Sequence, residues 1–333
     1  MPPPDTIAIE TMILPADATG IAAGAATFAR GGLVAFPTET VYGLGADAAN
    51  AAAIARLYQA KGRPAFNPLI AHVADLAAAR RIGRFDEAAE RLAAAFWPGP
   101  LTLVVAQVDG CPVADLATAG LDTVAIRIPS HPVARALLAA FGGAVVAPSA
   151  NISGHVSPTT AAHVAADLTG RIDLILDGGA VDVGVESTII GCFDQPTLLR
   201  PGGVPSEAIE QVLGRPLARP AAAEAHAAEQ PLAPGMLASH YAPRAAVRLE
   251  ATEVYPGEAL LAFGAATLPG AGQAAAILNL SPSADPAEAA THLFGYLRNL
   301  DAKGARSIAV MPIPNDGLGE AINDRLRRAA APR

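Results

Sequence analysis

Short apolar runs that end at Pro, Gly or Ser alternate with alanine-rich segments along most of the chain. Such runs are typical of buried or half-buried strands, and the alanine-rich segments are typical of helices. The pattern predicts strands at 33–36, 69–73, 101–107, 123–128, 145–147, 174–177, 187–192 and 197–200. It predicts helices at 17–30, 51–59, 85–96, 132–141, 160–168 and 205–213. Many strands with a minority of helices favour an α+β or mixed α/β fold over a pure βαβ repeat.

The same pattern divides the chain into three parts. Residues 1–210 are predicted to form one compact unit, and residues 211–245 are rich in Pro and Ala, which is typical of a linker. The linker ends in a specific sequence, His240-Tyr241-Ala242-Pro243. Residues 246–333 are predicted to form a small α/β domain, with strands at 247–249, 259–263, 275–280 and 307–311 and helices at 286–301 and 318–330. Helix N-caps are predicted at Asp17, Ser130, Thr159 and Asp285.

Composition and charge narrow the class of protein. Hydrophobic residues make up 52% of the chain and charged residues 16%, so we expect a large folded core. The net charge of −8 argues against a general nucleic-acid binder but leaves room for a local basic groove. The N-terminal sequence lacks signal-peptide features and no apolar run reaches about 18 residues, so no membrane span is expected. Cys111 and Cys192 form no C-x-x-C pair, and this cysteine usage is most simply interpreted as that of a protein in the reducing cytoplasm.

Almost all of the positive charge is carried by arginine, and only Lys61 and Lys303 are lysines. Lys61 begins the sequence Lys-Gly-Arg-Pro, which we predict to be a compact cationic loop. A compact ammonium on a flexible stem suits a phosphate or a carboxylate. The alternative is an ordinary surface lysine.

Polar residues cluster where the predicted strands end. The chain has no G-x-x-x-x-G-K-[ST] loop, no G-x-G-x-x-G at a helix start and no H-E-x-x-H, so the standard nucleotide-loop and zinc motifs are absent. The clusters are Thr38-Glu39-Thr40 with Tyr42, Lys61-x-Arg63 with Asn67 and His72, Thr123 with Arg127, Ser149-x-Asn151 with Ser153 and Ser157, Glu186-Ser187-Thr188, and Arg200. Hydroxyls and cations without an obvious nucleophile predict a site for a small anionic substrate.

Each cluster also has a plainer interpretation. Glu39 could be a buried helix cap in a turn, and the loop after Lys61 could be a solvated charged loop. Arg127 shares one face of a strand with Thr123 by the period of two. On an otherwise apolar strand it needs an anion, which could be a ligand or an internal carboxylate.

Taken together, these segments resemble a known family. FPTETVYGLG, KGRPAFNPLI, WPGPLTLV, LDTVAIRIPSHP, APSANISG, DGG, GVESTII and LLRPG occur in the order and at roughly the spacing of the YrdC-like domain. With the HYAP sequence and the additional C-terminal domain, the chain resembles the long, two-domain form of threonylcarbamoyl-AMP synthase. The resemblance implies a twisted YrdC-like mixed sheet with helices around a positively charged concave cavity. It also implies a smaller Rossmann-like α/β C-terminal domain.

The activity implied by the resemblance is that of a nucleotidyltransferase in tRNA modification. Such an enzyme condenses L-threonine, bicarbonate and ATP into threonylcarbamoyl-AMP and releases pyrophosphate, with Mg²⁺ bound through the ATP phosphates and no metal ligand from the protein. A separate transferase complex then moves the threonylcarbamoyl group to adenosine 37 of tRNA, forming t6A. Contact of this chain with tRNA is not required.

The resemblance also implies roles for particular residues. Lys61 and Arg63 are the expected catalytic cations. L-Threonine is expected at Thr40, His72, Arg127, the backbone of Ala147, and Ser187. ATP is expected at Arg63, Asn67, Thr123, Ser149, Asn151, Ser157 and Arg200, and at His240 and Tyr241, which would fold over the cavity from the linker as a lid.

Other functions remain as alternatives. An RNA-binding module could use a basic cavity as its groove, although the negative net charge and the lack of aromatic stacking runs weigh against it. A carbamoyl-adenylate former of the hydrogenase-maturation type shares a YrdC-like domain but carries acylphosphatase and zinc-finger-like parts that are missing here. A regulatory protein that binds a ligand without turnover is the third alternative.

Overall fold

Two sheets organise the residues that the computed structural model describes, which are 9–220 and 240–332. A mixed ten-stranded sheet belongs to the first unit, and a four-stranded sheet belongs to the C-terminal unit. Residues 221–239, in the middle of the predicted linker, lie outside the described residues. None of the helices in the described ranges is long and apolar enough to cross a membrane.

The large sheet is built from short, mostly buried strands. They are β1 (Met12–Pro15), β2 (Val34–Pro37), β3 (Tyr42–Asp47), β4 (Ile70–His72), β5 (Leu101–Ala106), β6 (Thr123–Arg127), β7 (Val145–Val146), β8 (Leu174–Asp177), β9 (Thr188–Gly191) and β10 (Thr197–Arg200). Their spatial order is β1-β8-β2-β3-β7-β4-β6-β5-β9-β10. The sheet combines parallel pairs such as β4 with β6 and antiparallel pairs such as β2 with β3. The mixed α/β fold class predicted from the sequence is confirmed.

Helices pack against this sheet and bury alanine-rich faces on it. They are α1 (Ala18–Ala29), α2 (Ala51–Lys61), α3 (Leu76–Arg80), α4 (Glu87–Phe96), α5 (Asp115–Thr118), α6 (Pro132–Phe141), α7 (Ala161–Leu168) and α8 (Ser206–Leu213). Asp17 caps α1 as predicted, because its carboxylate accepts from the Gly20 amide at 2.9 Å. Two other predicted caps are wrong by one residue, since the N-caps are His131 and Thr160 rather than Ser130 and Thr159.

Strand β3 was missed by the sequence analysis, which predicted no element for its glycine-containing segment. Glycine is depleted in strands because it lacks a side chain that packs on the pleated surface. At Gly45, however, a Cβ would lie 2.7 Å from the Phe28 ring and 2.9 Å from the Phe36 ring. Glycine is therefore required by close packing inside the sheet. The edge strand β1 was also missed.

The C-terminal unit is a parallel sheet covered by two long helices. Its elements are β11 (Ala246–Arg248), β12 (Glu258–Ala262), β13 (Ile277–Asn279), α9 (Pro286–Asp301), β14 (Ser307–Val310) and α10 (Leu318–Ala330), with strand order β11-β14-β12-β13. Asp285 caps α9 as predicted, accepting from the Ala287 amide at 2.8 Å. Both helices have the bounds that the sequence predicted.

The two units share an apolar interface. Val41 and Val185 of the first unit belong to the same buried cluster as Tyr241 and the C-terminal core. At Gly184 the backbone has a φ of 78°, and a Cβ there would lie only 2.3 Å from the Ala290 carbonyl oxygen. This close approach of α9 brings the C-terminal unit against the loop that precedes β9, where the candidate site begins.

Candidate functional site

A concave cavity of about 530 Å³, with its mouth counted, lies where several strands of the large sheet end. His72 and Arg127 are register partners at the ends of the parallel strands β4 and β6, so both side chains reach the same edge. The remaining lining comes from the β2–β3 turn, the loop after β7, the start of β9, the end of β10 and the HYAP sequence. The lining residues are Thr38, Thr40, Val41, Gly43, Arg63, Ile70, His72, Arg127, Ala147, Pro148, Ser149, Glu186, Ser187, Arg200, His240 and Tyr241.

The β2–β3 turn places two hydroxyls beside a buried arginine. Thr38 Oγ1 and Thr40 Oγ1 lie 2.8 Å apart, and Arg127 Nη1 donates to Thr40 Oγ1 at 3.0 Å. Arg127 Nε also donates to the Gly99 carbonyl at 3.3 Å. These bonds fix the guanidinium in one orientation at the cavity wall.

Glu39 supplies the internal carboxylate that the sequence left open as a partner of Arg127. Its Oε1 lies 2.7 Å from Arg127 Nη2, and its Oε2 accepts from the Ser130 amide at 3.1 Å. Burial acts to raise the pKa of Glu39, but the Arg127 charge and the hydrogen bonds outweigh it, so the pKa lies below its usual value. The contact between Nη2 and Oε1 lacks hydrogen-bond geometry, and Nη2 has no hydrogen-bond acceptor among the described residues. The Arg127 guanidinium lines the cavity beside this carboxylate, so a ligand anion would have to share the guanidinium with Glu39.

His72 is a neutral imidazole in the cavity wall. Its Nδ1 lies 3.1 Å from the Ile70 carbonyl oxygen. Burial, and next the charge of Arg127, lower the pKa of His72 to about 3. The ring can thus exchange a hydrogen bond with a ligand without adding a further positive charge.

The low pKa of His72 predicts a pH-dependent stability. In the unfolded chain the group titrates near its ordinary value of 6.5, so between that pH and about 3 the unfolded state binds the proton more readily. We expect His72 alone to lower the free energy of unfolding by about 2 kcal/mol as the pH drops from about 7.5 to about 5, and the lowered pKa values of His131, His163 and His240 add to this fall. Urea denaturation at both pH values measures this change.

Two variants isolate the His72 contribution. His72→Gln is expected to reduce the pH dependence by about 2 kcal/mol over this interval, whereas His155→Gln, at an exposed position, is expected to leave it unchanged. An unaltered pH dependence in His72→Gln would show that another group is responsible.

Lys61 lies in the last turn of α2 and not in the loop that the sequence predicted. The helix ends at Gly62, whose φ of 61° reverses the chain. Lys61 Nζ donates to the carbonyl oxygens of Ser149 and Asn151, each at 2.6 Å. Only 1% of the residue is exposed, so the surface-lysine alternative is excluded. Burial, followed by the charge of Arg63, holds the pKa of Lys61 well below its ordinary value.

Two further arginines complete the cationic wall. Arg63 Nη2 donates to the Pro68 carbonyl at 3.1 Å, and its buried Nε has no hydrogen-bond partner among the described residues. Burial lowers the pKa of Arg63 to about 10. Arg200 Nη2 donates to the Ser187 carbonyl at 2.8 Å. Arg63 and Arg200 line the cavity, so an anion there would meet both, whereas Lys61 lies behind the lining and its contact with a ligand stays a prediction.

Glu186 is a cavity residue whose role the sequence analysis did not assign. Its Oε1 accepts from Ser157 Oγ at 2.5 Å, and its Oε2 accepts from Arg325 Nε of the C-terminal unit at 2.7 Å. The neighbouring Ser187 Oγ lies 2.7 Å from Thr102 Oγ1. The sequence signal for Glu186 was its charge, which stands alone among apolar and hydroxyl residues just before β9. Nothing local in the sequence pointed to Arg325.

The HYAP sequence lies in the cavity. His240 is 7% exposed and Tyr241 1%, and their rings are 4.1 Å apart. Tyr241 has a φ of 61°, which is uncommon for a residue with a side chain. Burial, and next the charges of Arg63 and Lys61, hold the pKa of His240 well below its ordinary value. The expected lid residues thus line the same cavity as Arg63 and Arg200 in this conformation.

The remaining expected site residues lie behind the lining or away from it. Asn67 and Asn151 are fully buried, and each has an Oδ1 without a hydrogen-bond partner in the described part of the chain. Ser157 reaches the cavity only through Glu186. Thr123 is half-buried at the start of β6, on the face of Arg127 but outside the lining. A ligand contact by these four residues stays a prediction.

Two family models together match almost the whole chain beyond residue 25. The Sua5, YciO and YrdC model, described as "Telomere recombination", matches residues 26–202. The model described as "Threonylcarbamoyl-AMP synthase, C-terminal domain" matches residues 204–331.

Curated relatives match over nearly their full length. The threonylcarbamoyl-AMP synthase of Pyrococcus abyssi is 43% identical, covering 92% of this chain and 93% of the relative. The Bacillus subtilis protein of the same name is 41% identical, covering 94% and 93%.

Solved structures show the same architecture. The crystal structure of P. abyssi Sua5 complexed with L-threonine superposes with a TM-score of 0.86 at 38% identity and covers 97% of each chain. E. coli YciO, at 24% identity, covers 58% of this chain with a TM-score of 0.53, and this supports the fold of the first unit alone.

Proposed function

The chain belongs to the threonylcarbamoyl-AMP synthase family, and we propose that it condenses L-threonine, bicarbonate and ATP into threonylcarbamoyl-AMP with release of pyrophosphate. The observation that carries the proposal is the cavity itself. Three buried arginines that line it, Arg63, Arg127 and Arg200, converge beside hydroxyls and a neutral imidazole, and Lys61 lies buried behind the lining residue Ser149. Such a wall suits a substrate set that combines a carboxylate, a carbamate and a triphosphate.

The L-threonine subsite in this proposal is the corner around Arg127. The Arg127 guanidinium would hold the amino-acid carboxylate, and Thr40 Oγ1 is already oriented by Arg127 Nη1. The neutral His72 and the Ser187 hydroxyl would contact the remaining polar groups. The P. abyssi relative, which shares the fold, was solved with L-threonine bound.

The nucleotide subsite in this proposal is the wall formed by Lys61, Arg63 and Arg200. Ser149 lines this side of the cavity, and its carbonyl oxygen fixes the Lys61 ammonium at 2.6 Å. Because His240 lines the same cavity as Arg63 and Arg200, ATP and the His240 ring compete for one region. Entry of the triphosphate therefore requires His240 to move aside, and the segment would close again over the bound substrates.

In this proposal, the reaction depends on placing the substrates and stabilising their negative charge more than on a covalent enzyme intermediate. The amine of L-threonine and bicarbonate form a carbamate with loss of water, and a carbamate oxygen attacks the α-phosphorus of ATP. The bond to pyrophosphate breaks, and the negative charge that gathers there is offset by Lys61 and Arg63. Closure over the cavity would keep water from the labile product.

We propose that Mg²⁺ enters with ATP. Mg²⁺ prefers oxygen ligands and usually keeps several waters, so substrate phosphates can hold it with little help from the protein. The described residues contain no group of three or more His, Cys, Asp and Glu side chains that could hold a metal ion. Glu186, the carboxylate that lines the cavity, already binds Ser157 and Arg325. The bound ion would offset phosphate charge.

The product would pass to a separate tRNA-modifying transferase.

Pyrophosphate release by the full chain tests the proposal. We expect release from ATP with Mg²⁺ only when L-threonine and bicarbonate are both present in degassed buffer. Mass spectrometry should then detect threonylcarbamoyl-AMP. Release that continues without L-threonine would contradict the proposal, and tight tRNA binding without turnover would favour an RNA-binding module instead.

A further inference from the structure

Arg325 connects the C-terminal unit to the wall of the cavity. It lies in the middle of α10 and is completely buried, although arginine is almost never fully buried unless it is paired. Its Nε donates to Glu186 Oε2 at 2.7 Å, and its Nη1 donates to Asp324 Oδ2 at 2.7 Å. Asp324 in turn accepts from Arg328 Nε at 3.1 Å, one helical turn further on. A chain of charges thus runs along α10 and ends on a carboxylate of the cavity.

The same guanidinium lies against the HYAP sequence. The Arg325 Cζ atom is 5.2 Å from the centroid of the Tyr241 ring, and that ring also stacks with Phe294, with the ring centroids 5.6 Å apart. The His240 amide donates to the Arg328 carbonyl of the same helix at 3.2 Å. The uncommon backbone conformation of Tyr241 is therefore held by contacts that come from the C-terminal unit.

Glu186 links Arg325 to the side of the cavity where ATP is expected to bind. Its second oxygen accepts from Ser157 Oγ at 2.5 Å, so a single carboxylate joins a serine behind the cavity to an arginine on α10. Without Arg325, the Glu186 carboxylate would face a cavity wall and could turn towards Arg63 or Arg200, which it would partly neutralise. Arg325 thereby keeps the carboxylate away from the cations that the proposed reaction needs.

We propose that Arg325 is a positioning residue for the reaction, which holds the Glu186 carboxylate and the Tyr241 ring in place and so shapes the nucleotide side of the cavity. This inference rests on the proposed function, because it concerns ATP use at the same site. It assigns the C-terminal unit a direct part in building the site. L-Threonine affinity should be insensitive to Arg325, since the corner around Arg127 and Thr40 has no hydrogen bond to α10 among the described contacts.

Arg325→Met tests the inference, since methionine keeps much of the side-chain volume and removes the charge. We expect the KM for ATP to rise and kcat to fall, so that kcat/KM for ATP drops about 10- to 100-fold. The KM for L-threonine is expected to stay within about twofold, because that corner is built by other contacts. Arg325→Lys is expected to recover part of the ATP effect, since it restores the positive charge without the planar fork.

A matched control lies on the same helix. Glu320 of α10 also crosses to the first unit, where it binds Ser206 and Arg219, but it does not line the cavity. Glu320→Gln weakens an interface ion pair and is expected to leave both KM values unchanged. Two results would show that Arg325 acts only through interface stability and that the inference is wrong. One is that Glu320→Gln reproduces the kinetics of Arg325→Met. The other is that ATP and L-threonine lose affinity equally in Arg325→Met.

A double-mutant cycle with Glu186→Gln tests whether Arg325 acts through Glu186. If Arg325 acts through Glu186, the double variant loses no more activity than the worse single variant. Additive losses would overturn the inference. Wild-type turnover that depends on L-threonine is measured first, because its absence would reject the proposed function rather than the role of Arg325. The Tm of each variant is recorded, and where Arg325→Met does not fold, Arg325→Lys and Glu186→Gln carry the same comparison.

Discussion

Replacing Lys61 with methionine is expected to lower kcat for threonine-dependent pyrophosphate release by at least about a hundredfold. Lys61 lies at the end of α2 and is fixed by two carbonyl oxygens at 2.6 Å, one of them from Ser149, which lines the cavity. Its position therefore needs no reorganisation when charge develops on the phosphates, which is the condition under which a cation stabilises a transition state best. Initial rates at saturating ATP and L-threonine measure the effect.

The chain offers a close control for this experiment. Lys303, the other lysine, is exposed at the end of α9, so Lys303→Met makes the same chemical change far from the cavity lining. It is expected to have wild-type kinetics. Lys61→Met also leaves two buried carbonyls without their donor, which destabilises the fold by about 1 to 3 kcal/mol for each. The comparison is made at a temperature where both variants are folded, and a kcat near the wild-type value would remove Lys61 from the catalytic wall.

Replacing Arg127 with methionine is expected to raise the KM for L-threonine by about tenfold to a hundredfold. The reason is the loss of the guanidinium that lines the cavity and of the bond that orients Thr40 Oγ1. The same change leaves Glu39 as a buried carboxylate without its cation, which is expected to cost about 3 to 5 kcal/mol of unfolding free energy. Urea denaturation and steady-state kinetics measure the two effects separately.

A second substitution distinguishes binding from stability. Glu39→Gln added to Arg127→Met removes the stranded charge and is expected to restore much of the unfolding free energy. It cannot restore a donor to the amino-acid carboxylate, so the KM for L-threonine should stay high. If the double variant regains both stability and threonine affinity, Arg127 supports the fold and does not bind the substrate.

The local sequence specified most of the elements. Helices α6, α9 and α10 have the predicted bounds because proline at a helix start or an unbroken amphipathic run marks them clearly. Strand β3 was missed because glycine is depleted in strands, and the close packing of Gly45 against the rings of Phe28 and Phe36 is seen only in the structure. Propensity rules do not contain this kind of packing between distant segments.

The set of candidate site residues was also largely available from the sequence. Polar residues at the ends of apolar strands converge at one edge because the register of β4 and β6 brings those ends together. The hydrogen-bond and ion-pair partners of these residues could not be predicted from the sequence. The sequence left a ligand and an internal carboxylate as alternatives for Arg127, and it placed Lys61 in a loop when it belongs to a helix end.

By itself, the sequence determined the order of the elements, the mixed α/β class, and which hydroxyls and cations could meet an anion. Tertiary structure alone decided which groups touch: Lys61 with two carbonyls about ninety residues away, Arg127 with Glu39, and Arg325 with Glu186 across 139 positions. The physical reason is that periodicity follows from local backbone geometry, whereas hydrogen bonds and ion pairs depend on distances and directions between atoms. Those distances exist only once the sheet register and the domain interface have formed.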